Sequence, residues 1–175
     1  MSLEPVYSVS ELALDGATSV DTGVNLFDED KDWTIVTKWS GKCTGLVVVW
    51  SIDLSAGTSD HNSLYLGALN GWYWRIRLST AGVSDYTAVM TQPWTYVLTR
   101  SRGSNTMTVY SVVDGVKKTT EMNINGGLSS WIGATNNLVL GYSNFTESYF
   151  AGTINTLDVY ERVLDASEIN EYLGV

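Results

Sequence analysis

The sequence is short of several things, and each shortage excludes a class of protein. Cys43 is the only cysteine among 175 residues, so no internal disulfide forms and cysteine-based zinc sites are excluded. The fold must therefore be held by its core alone. His61 is the only histidine and no Gly-x-Ser-x-Gly turn occurs, which removes the usual serine-hydrolase arrangement. Basic residues number ten against nineteen acidic ones, a formal net charge of −9. Such a surface repels phosphate backbones, and nucleic acid is not an expected partner. No stretch approaches eighteen consecutive apolar residues, so neither a membrane span nor membrane insertion is expected. Met1-Ser2-Leu3-Glu4-Pro5 lacks the basic stretch and apolar run of a secretory signal. Either the protein stays in the cell until lysis or assembly, or the sequence is a piece of a longer chain.

Apolar residues make up 44% and charged ones 17%, enough to bury a core, and the length suits one domain over residues 1–175. The dominant period along the chain is two. In Trp33-Thr34-Ile35-Val36-Thr37-Lys38-Trp39 one parity carries Trp33, Ile35 and Trp39. In Tyr73-Trp74-Arg75-Ile76-Arg77-Leu78 the pattern sends Trp74, Ile76 and Leu78 inward and both arginines toward water. Leu46 to Ile52 is a nearly continuous run, as expected of a strand covered on both faces. Further strands read at Trp94–Arg100, Met107–Val113, Leu138–Tyr142 and Thr153–Tyr160. Asp114-Gly115 and Asn70-Gly71 are hairpin turns by composition, since a type I′ turn needs positive φ at both central residues. One helix is expected after Asp165, where Glu168 completes a capping box and Leu164, Ile169 and Tyr172 or Leu173 form an apolar stripe. These elements predict an all-β antiparallel sandwich of two sheets with a short carboxyl-terminal helix.

The wording of the last third is more specific. Leu138–Gly141, then Phe150-Ala-Gly-Thr-Ile154, then Leu157-Asp-Val-Tyr160 leading to Leu164 and Ile169 resembles the closing signature of laminin-G-like, concanavalin A-like jelly rolls. Trp94–Thr99, Met107–Tyr110 and Asp114-Gly115 resemble the strand pair that precedes it. Leu14-Asp15-Gly16, Val20–Val24 and Asp32–Ile35 resemble the family's opening. The matches run in family order from about Leu12 to Leu173. The Val20–Ile35 wording is similar to members found in phage tail and bacterial surface proteins, which implies an extracellular or virion-associated location. Many members hold a structural calcium between the closing motif and the opening Asp-Gly turn. The resemblance carries that ion onto Asp15 and Asn155, although an acidic residue is usual where Asn155 stands, and an amide is the weaker ligand for a hard cation. The alternative is that Asp15 caps its own turn. No other cofactor is implied.

Catalytic members that cleave β-glucans carry Glu-x-Asp-x-Glu on one strand, where alternation puts all three carboxylates on one face. No such triplet occurs here. The densest acidic run, Asp28 to Asp32, precedes a strand and reads as a solvated loop. His61 beside Asp60 reads as a loop tip, and Cys43 as buried or incidental. No catalytic residue is therefore assigned.

Seven tryptophans and ten tyrosines against three phenylalanines are the remaining excess. Trp33, Trp39, Trp50, Trp74 and Trp94 suit a sandwich core. Trp72, Tyr73 and Trp74 are consecutive and cannot all face it. Tyr73 and Trp72, with Tyr65, Asp60, Asn62 and Asn70 nearby in sequence, are the candidate saccharide-binding residues. Sugars stack C–H faces on aromatic rings, while their hydroxyls take amide and carboxylate partners. Arg75 and Arg77 either add donors for anionic sugars or form a solvated cross-strand pair with acidic neighbours, the plainer account. The expected function is a non-catalytic module that binds a carbohydrate or another surface ligand. A structural, self-associating or virion-decorating domain is the alternative, and a glycoside hydrolase the third reading.

Overall fold

A computed structural model of the chain describes residues 4–26, 31–41, 46–53, 63–69, 73–78, 93–104, 106–113, 115–123, 137–143 and 148–175. The strands are β1 (Tyr7–Asp15), β2 (Val20–Asp21), β3 (Trp33–Gly41), β4 (Leu46–Asp53), β5 (Ser63–Leu69), β6 (Tyr73–Leu78) and β7 (Trp94–Arg100). They continue as β8 (Thr106–Val113), β9 (Val116–Asn123), β10 (Val139–Leu140), β11 (Tyr142–Ser143), β12 (Ser148–Tyr149) and β13 (Ala151–Tyr160), and the chain closes on α1 (Ala166–Leu173). Among the described residues, β1-β13-β3-β7-β8-β9 form a six-stranded sheet and β2-β10-β4-β5-β6 a five-stranded one, with β11-β12 a small hairpin beside β4. Every strand pair is antiparallel. The architecture is the antiparallel β-sandwich that the alternation implied, a jelly roll as the family resemblance implied.

The core lies between the sheets. On β3, Trp33, Ile35 and Trp39 point inward and are essentially inaccessible. Their register partners on β7 are Arg100, Leu98 and Trp94, with Thr37 set opposite Tyr96. Trp39 packs on Trp94 with ring centroids 4.2 Å apart and meets Phe150 edge-on at 5.4 Å. Rings of this size each bury on the order of 150–250 Å² and dominate such a core. One polar bond crosses the apolar interior: the Trp50 indole N–H of β4 donates to Thr37 Oγ1 of β3 at 2.9 Å. It ties one sheet to the other at a point that water does not reach.

Phe150 also explains the Phe-Ala-Gly wording of the closing motif. Gly152 stands opposite Gly41 in the sheet, and a Cβ on Gly152 would lie 2.5 Å from both the Ser40 carbonyl oxygen and the Phe150 ring. The ring occupies the space that two absent side chains leave.

The other face of the six-stranded sheet is capped by α1. Val36, Val97, Tyr160, Leu164, Ile169 and Leu173 form a second apolar cluster there. This is why Thr34, on the parity opposite the core, is as buried as its neighbours: its Oγ1 donates to the Arg162 carbonyl and accepts from the Leu164 N–H. The capping box forms as the sequence implies, with Asp165 accepting from Ser167 and Glu168 N–H, and Glu168 accepting from Asp165 N–H. Arg162 grips both Glu168 oxygens, at 2.5 and 2.7 Å. Asp158, nearly buried on β13, accepts from Ser8 at 2.5 Å and from the Tyr172 hydroxyl at 2.7 Å, pinning the helix to the sheet. Burial, above all, pushes the Tyr172 hydroxyl pKa far above the usual tyrosine value.

Two adjacent strands change phase together. On β1 the core-facing residues are Tyr7 and Val9, then Leu12 and Leu14; on β13 they are Val159 and Leu157, then Ile154. The switch falls at Glu11, whose φ of 52° is left-handed, and at Asn155, where the β13–β3 register slips. Neither strand could keep its apolar residues inward without the shift.

The expected strand Leu138–Tyr142 is divided, because Gly141 adopts a φ of 80° between β10 and β11. β1, with its phase change, escapes a simple alternation search. Val113 pairs with Val116 and Gly115 has a φ of 74°, as the Asp114-Gly115 signal requires. Leu69 pairs with Tyr73, so three residues, not two, join β5 to β6 there. Asn70 and Gly71 lie outside the described residues.

Two outcomes follow from this packing. Thr37→Val leaves the Trp50 indole N–H without its acceptor and is expected to cost about 1–3 kcal/mol in a urea titration. Glu168 is held near a pKa of about 2, first by the Arg162 hydrogen bond and then by the Asp165 N–H. A depressed carboxyl stabilises the fold fully above its ordinary value and loses that contribution as pH falls toward the folded value. Melting temperature should therefore fall between about pH 4.5 and pH 2, and Glu168→Gln should flatten that part of the curve.

Candidate functional site

Two of the sequence-derived aromatic candidates, Tyr65 and Tyr73, stand on adjacent strands of the five-stranded sheet. On β4, a register irregularity between Val48 and Trp50 lets Val47, Val49, Trp50 and Ile52 face the core, while Val48 and Ser51 take the opposite parity. On β5, Leu64 and Leu66 belong to the core, which puts Tyr65, Gly67 and Leu69 at outward register positions. On β6, Ile76 and Leu78 stand beside Leu66 and Leu64. Arg75, Arg77 and Tyr73 stand beside Gly67, Tyr65 and Leu69. One row thus crosses the sheet as Asp21, Val139, Ser51, Tyr65 and Arg77. Tyr65 and Tyr73 are brought onto the same face of adjacent strands. Trp72, Asp60, Asn62 and Asn70 lie outside the described residues, as do His61 and Cys43.

Val48 and Ser51 are fully buried although they face away from the core. The β11–β12 hairpin packs beside them on β4: Gly141 N–H donates to the Val49 carbonyl at 2.8 Å, and Ser51 Oγ to the Tyr142 carbonyl at 2.6 Å. This is the double covering that the Leu46–Ile52 run implied. Tyr142 and Tyr149 are register partners in the hairpin, with ring centroids 4.5 Å apart and planes inclined at 32°. Phe150 is buried in the core, so its neighbour Tyr149 projects the other way and stays 41% exposed. The sequence reading passed over this pair, because Tyr142 ended an apolar strand. The signal was there in the mirrored order Tyr142-Ser143 and Ser148-Tyr149 around four intervening residues.

The two calcium candidates stand at separate positions along the β1–β13 pair. Asp15 pairs with Ala151 on β13, whereas Asn155 lies level with Glu11, four residues away along both strands. At strand rise their backbones are about 13 Å apart. Asp15 Oδ1 accepts from Ala17 N–H, Thr18 N–H and Thr18 Oγ1, each at 2.9 Å. The Ala17 N–H is the chief reason its carboxyl is held below the usual range. Asn155 accepts from Ser40 Oγ at 3.1 Å and donates weakly to Glu11 at 3.5 Å. No group of three His, Cys, Asp or Glu able to hold a metal gathers among the described residues. Nor is any helix among them long and apolar enough to cross a membrane.

A family model described as the concanavalin A-like lectin/glucanases superfamily matches residues 14–170. No curated protein sequence matches the chain. Among solved structures, it is similar to the CBM40 of the Ruminococcus gnavus IT-sialidase bound to α2,3-sialyllactose, with a TM-score of 0.73 and 16% identity over 98% of this chain and 100% of that one. It is also similar to the Streptococcus pneumoniae NanB sialidase (TM-score 0.69, 17% identity), covering 97% of this chain and 28% of the sialidase. A leech intramolecular trans-sialidase gives a TM-score of 0.67 at 14% identity, over 100% of this chain and 28% of that enzyme. At such identities the likeness is one of fold.

Gly141 sets the position of the hairpin. Besides its positive φ, a Cβ there would lie 2.8 Å from Leu14 Cδ1 and 3.3 Å from the Thr18 carbonyl oxygen. Gly141→Ala is expected to destabilise the protein by about 1–3 kcal/mol. Hydrogen exchange should locate the loss at the Gly141 and Phe150 amides, not in β8–β9.

Proposed function

The chain belongs to the concanavalin A-like lectin/glucanase superfamily, and on that premise we propose that it is a non-catalytic carbohydrate-binding module for sialylated saccharides. The outer face of the five-stranded sheet is the proposed binding face. The module would be displayed by a phage structural or bacterial surface protein. The observation that supports the reading is the β5–β6 register, which gives Tyr65, Tyr73, Arg75 and Arg77 one shared parity on adjacent strands. A guanidinium fork matches a sugar carboxylate with paired hydrogen bonds, and tyrosine offers both a ring face and a hydroxyl. Trp72, Asn70, Asp60 and Asn62 border these strands in sequence and extend the proposed site. With a net charge of −9 the molecule as a whole repels an anionic ligand, so recognition of one rests on these arginines. The similarity to a module whose structure holds sialyllactose supports the same ligand class.

The test is calorimetric titration with 3′-sialyllactose, 6′-sialyllactose and lactose. The sialylated sugars should bind and remain uncleaved. Arg77→Ala should weaken them by roughly tenfold or more, the usual loss for a charge-assisted bond. Absence of binding to all three sugars, and across a broad glycan array, would remove the proposal.

A further inference from the structure

We propose that Tyr149, backed by Tyr142, is a stacking platform for a neutral pyranose at the rim of this same face, a galactoside when the ligand is sialyllactose. The inference rests on the saccharide reading above and adds to it a residue and a ligand moiety. Among the described residues the large aromatics Trp33, Trp39, Trp50, Tyr96 and Phe150 are fully buried, whereas Tyr149 is the one aromatic among the exposed large apolar side chains. An isolated exposed ring needs no explanation, but this one is pre-positioned. It lies on Tyr142, whose strand is tied to β4 by the Gly141–Val49 and Ser51–Tyr142 bonds, and Phe150 anchors the next residue in the core. A ring that is already ordered loses little further entropy when a ligand covers it.

The chemistry selects the ligand. A tyrosine face is electron-rich and attracts polarised C–H groups, and it carries no charge to hold a carboxylate. Galactopyranose presents several such C–H groups on one face. The hairpin flanks β4 on one side, and β5 and β6 lie on the other. From the hairpin to β6 is three strand spacings, or about 15 Å between backbones, a gap that long arginine and tyrosine side chains narrow toward the span of two linked sugar rings. The arginines of β6 would then take the acidic sugar while Tyr149 takes its neutral neighbour.

The experiment titrates the full chain, Tyr149→Ala and Tyr149→Trp with 3′-sialyllactose, free N-acetylneuraminic acid and lactose, and records each variant's melting temperature. Tyr149→Ala should weaken 3′-sialyllactose by roughly five- to tenfold, the scale of one aromatic contact. It should leave free N-acetylneuraminic acid and the melting temperature unchanged, and Tyr149→Trp should retain or improve sialyllactose binding. Undiminished sialyllactose binding by Tyr149→Ala overturns the platform while leaving the module reading intact. Equal weakening of free N-acetylneuraminic acid overturns the assignment to the neutral ring. Failure of the unaltered protein to bind any of the sugars overturns both.

Discussion

The structure depends on the two sheets staying in one fixed relation, and the Trp50–Thr37 hydrogen bond is the polar contact that sets it. Apolar packing between sheets is strong but tolerant of sliding. A buried indole N–H with a single acceptor is not, because any offset leaves it unsatisfied. Trp39, Trp94 and Phe150 supply the bulk of the contact beside it. With no disulfide available, this aromatic interior carries the stability that a smaller core would need covalent help to reach.

From that fixed interior the outer features follow in order. Phe150 lies over the Gly41–Gly152 pair, which sets where β12 ends and β13 begins. Gly141 turns the chain away from β10, so the hairpin comes to rest against β4 and buries Val48 and Ser51 from outside. β5 and β6 continue the same sheet beyond β4, and Tyr149 is exposed on the hairpin beside it. On the opposite side α1 covers the six-stranded sheet through Val36 and Val97, held by Asp158 and by the Arg162–Glu168 pair. The helix and the hairpin thus cover opposite sides of the sandwich.

Much of this was legible in the residues. Strict alternation located Trp33, Ile35 and Trp39, and the capping box placed the helix start at Asp165. The order of short motifs pointed to the superfamily that the family model identifies. What escaped notice has a physical reason in each case. β1 changes phase at Glu11, and a period-two search does not follow a strand whose parity reverses midway. Thr34 looks solvent-facing by parity but lies beneath the helix, a long-range contact that no local pattern encodes. The register that sets Asp15 opposite Ala151, away from Asn155, was not legible either, because neighbouring motifs in a family pattern need not be neighbours along a sheet. Tyr149 went unread because its value comes from a stack across a hairpin, not from its own surroundings in sequence.

The most direct measurement is an amide chemical-shift map of the isotope-labelled protein during addition of 3′-sialyllactose. The account expects saturable shifts along β5, β6 and the β11–β12 hairpin, with α1 and β7–β9 unmoved. Shifts centred on the helix-covered sheet, or no shifts at millimolar sugar, would contradict it.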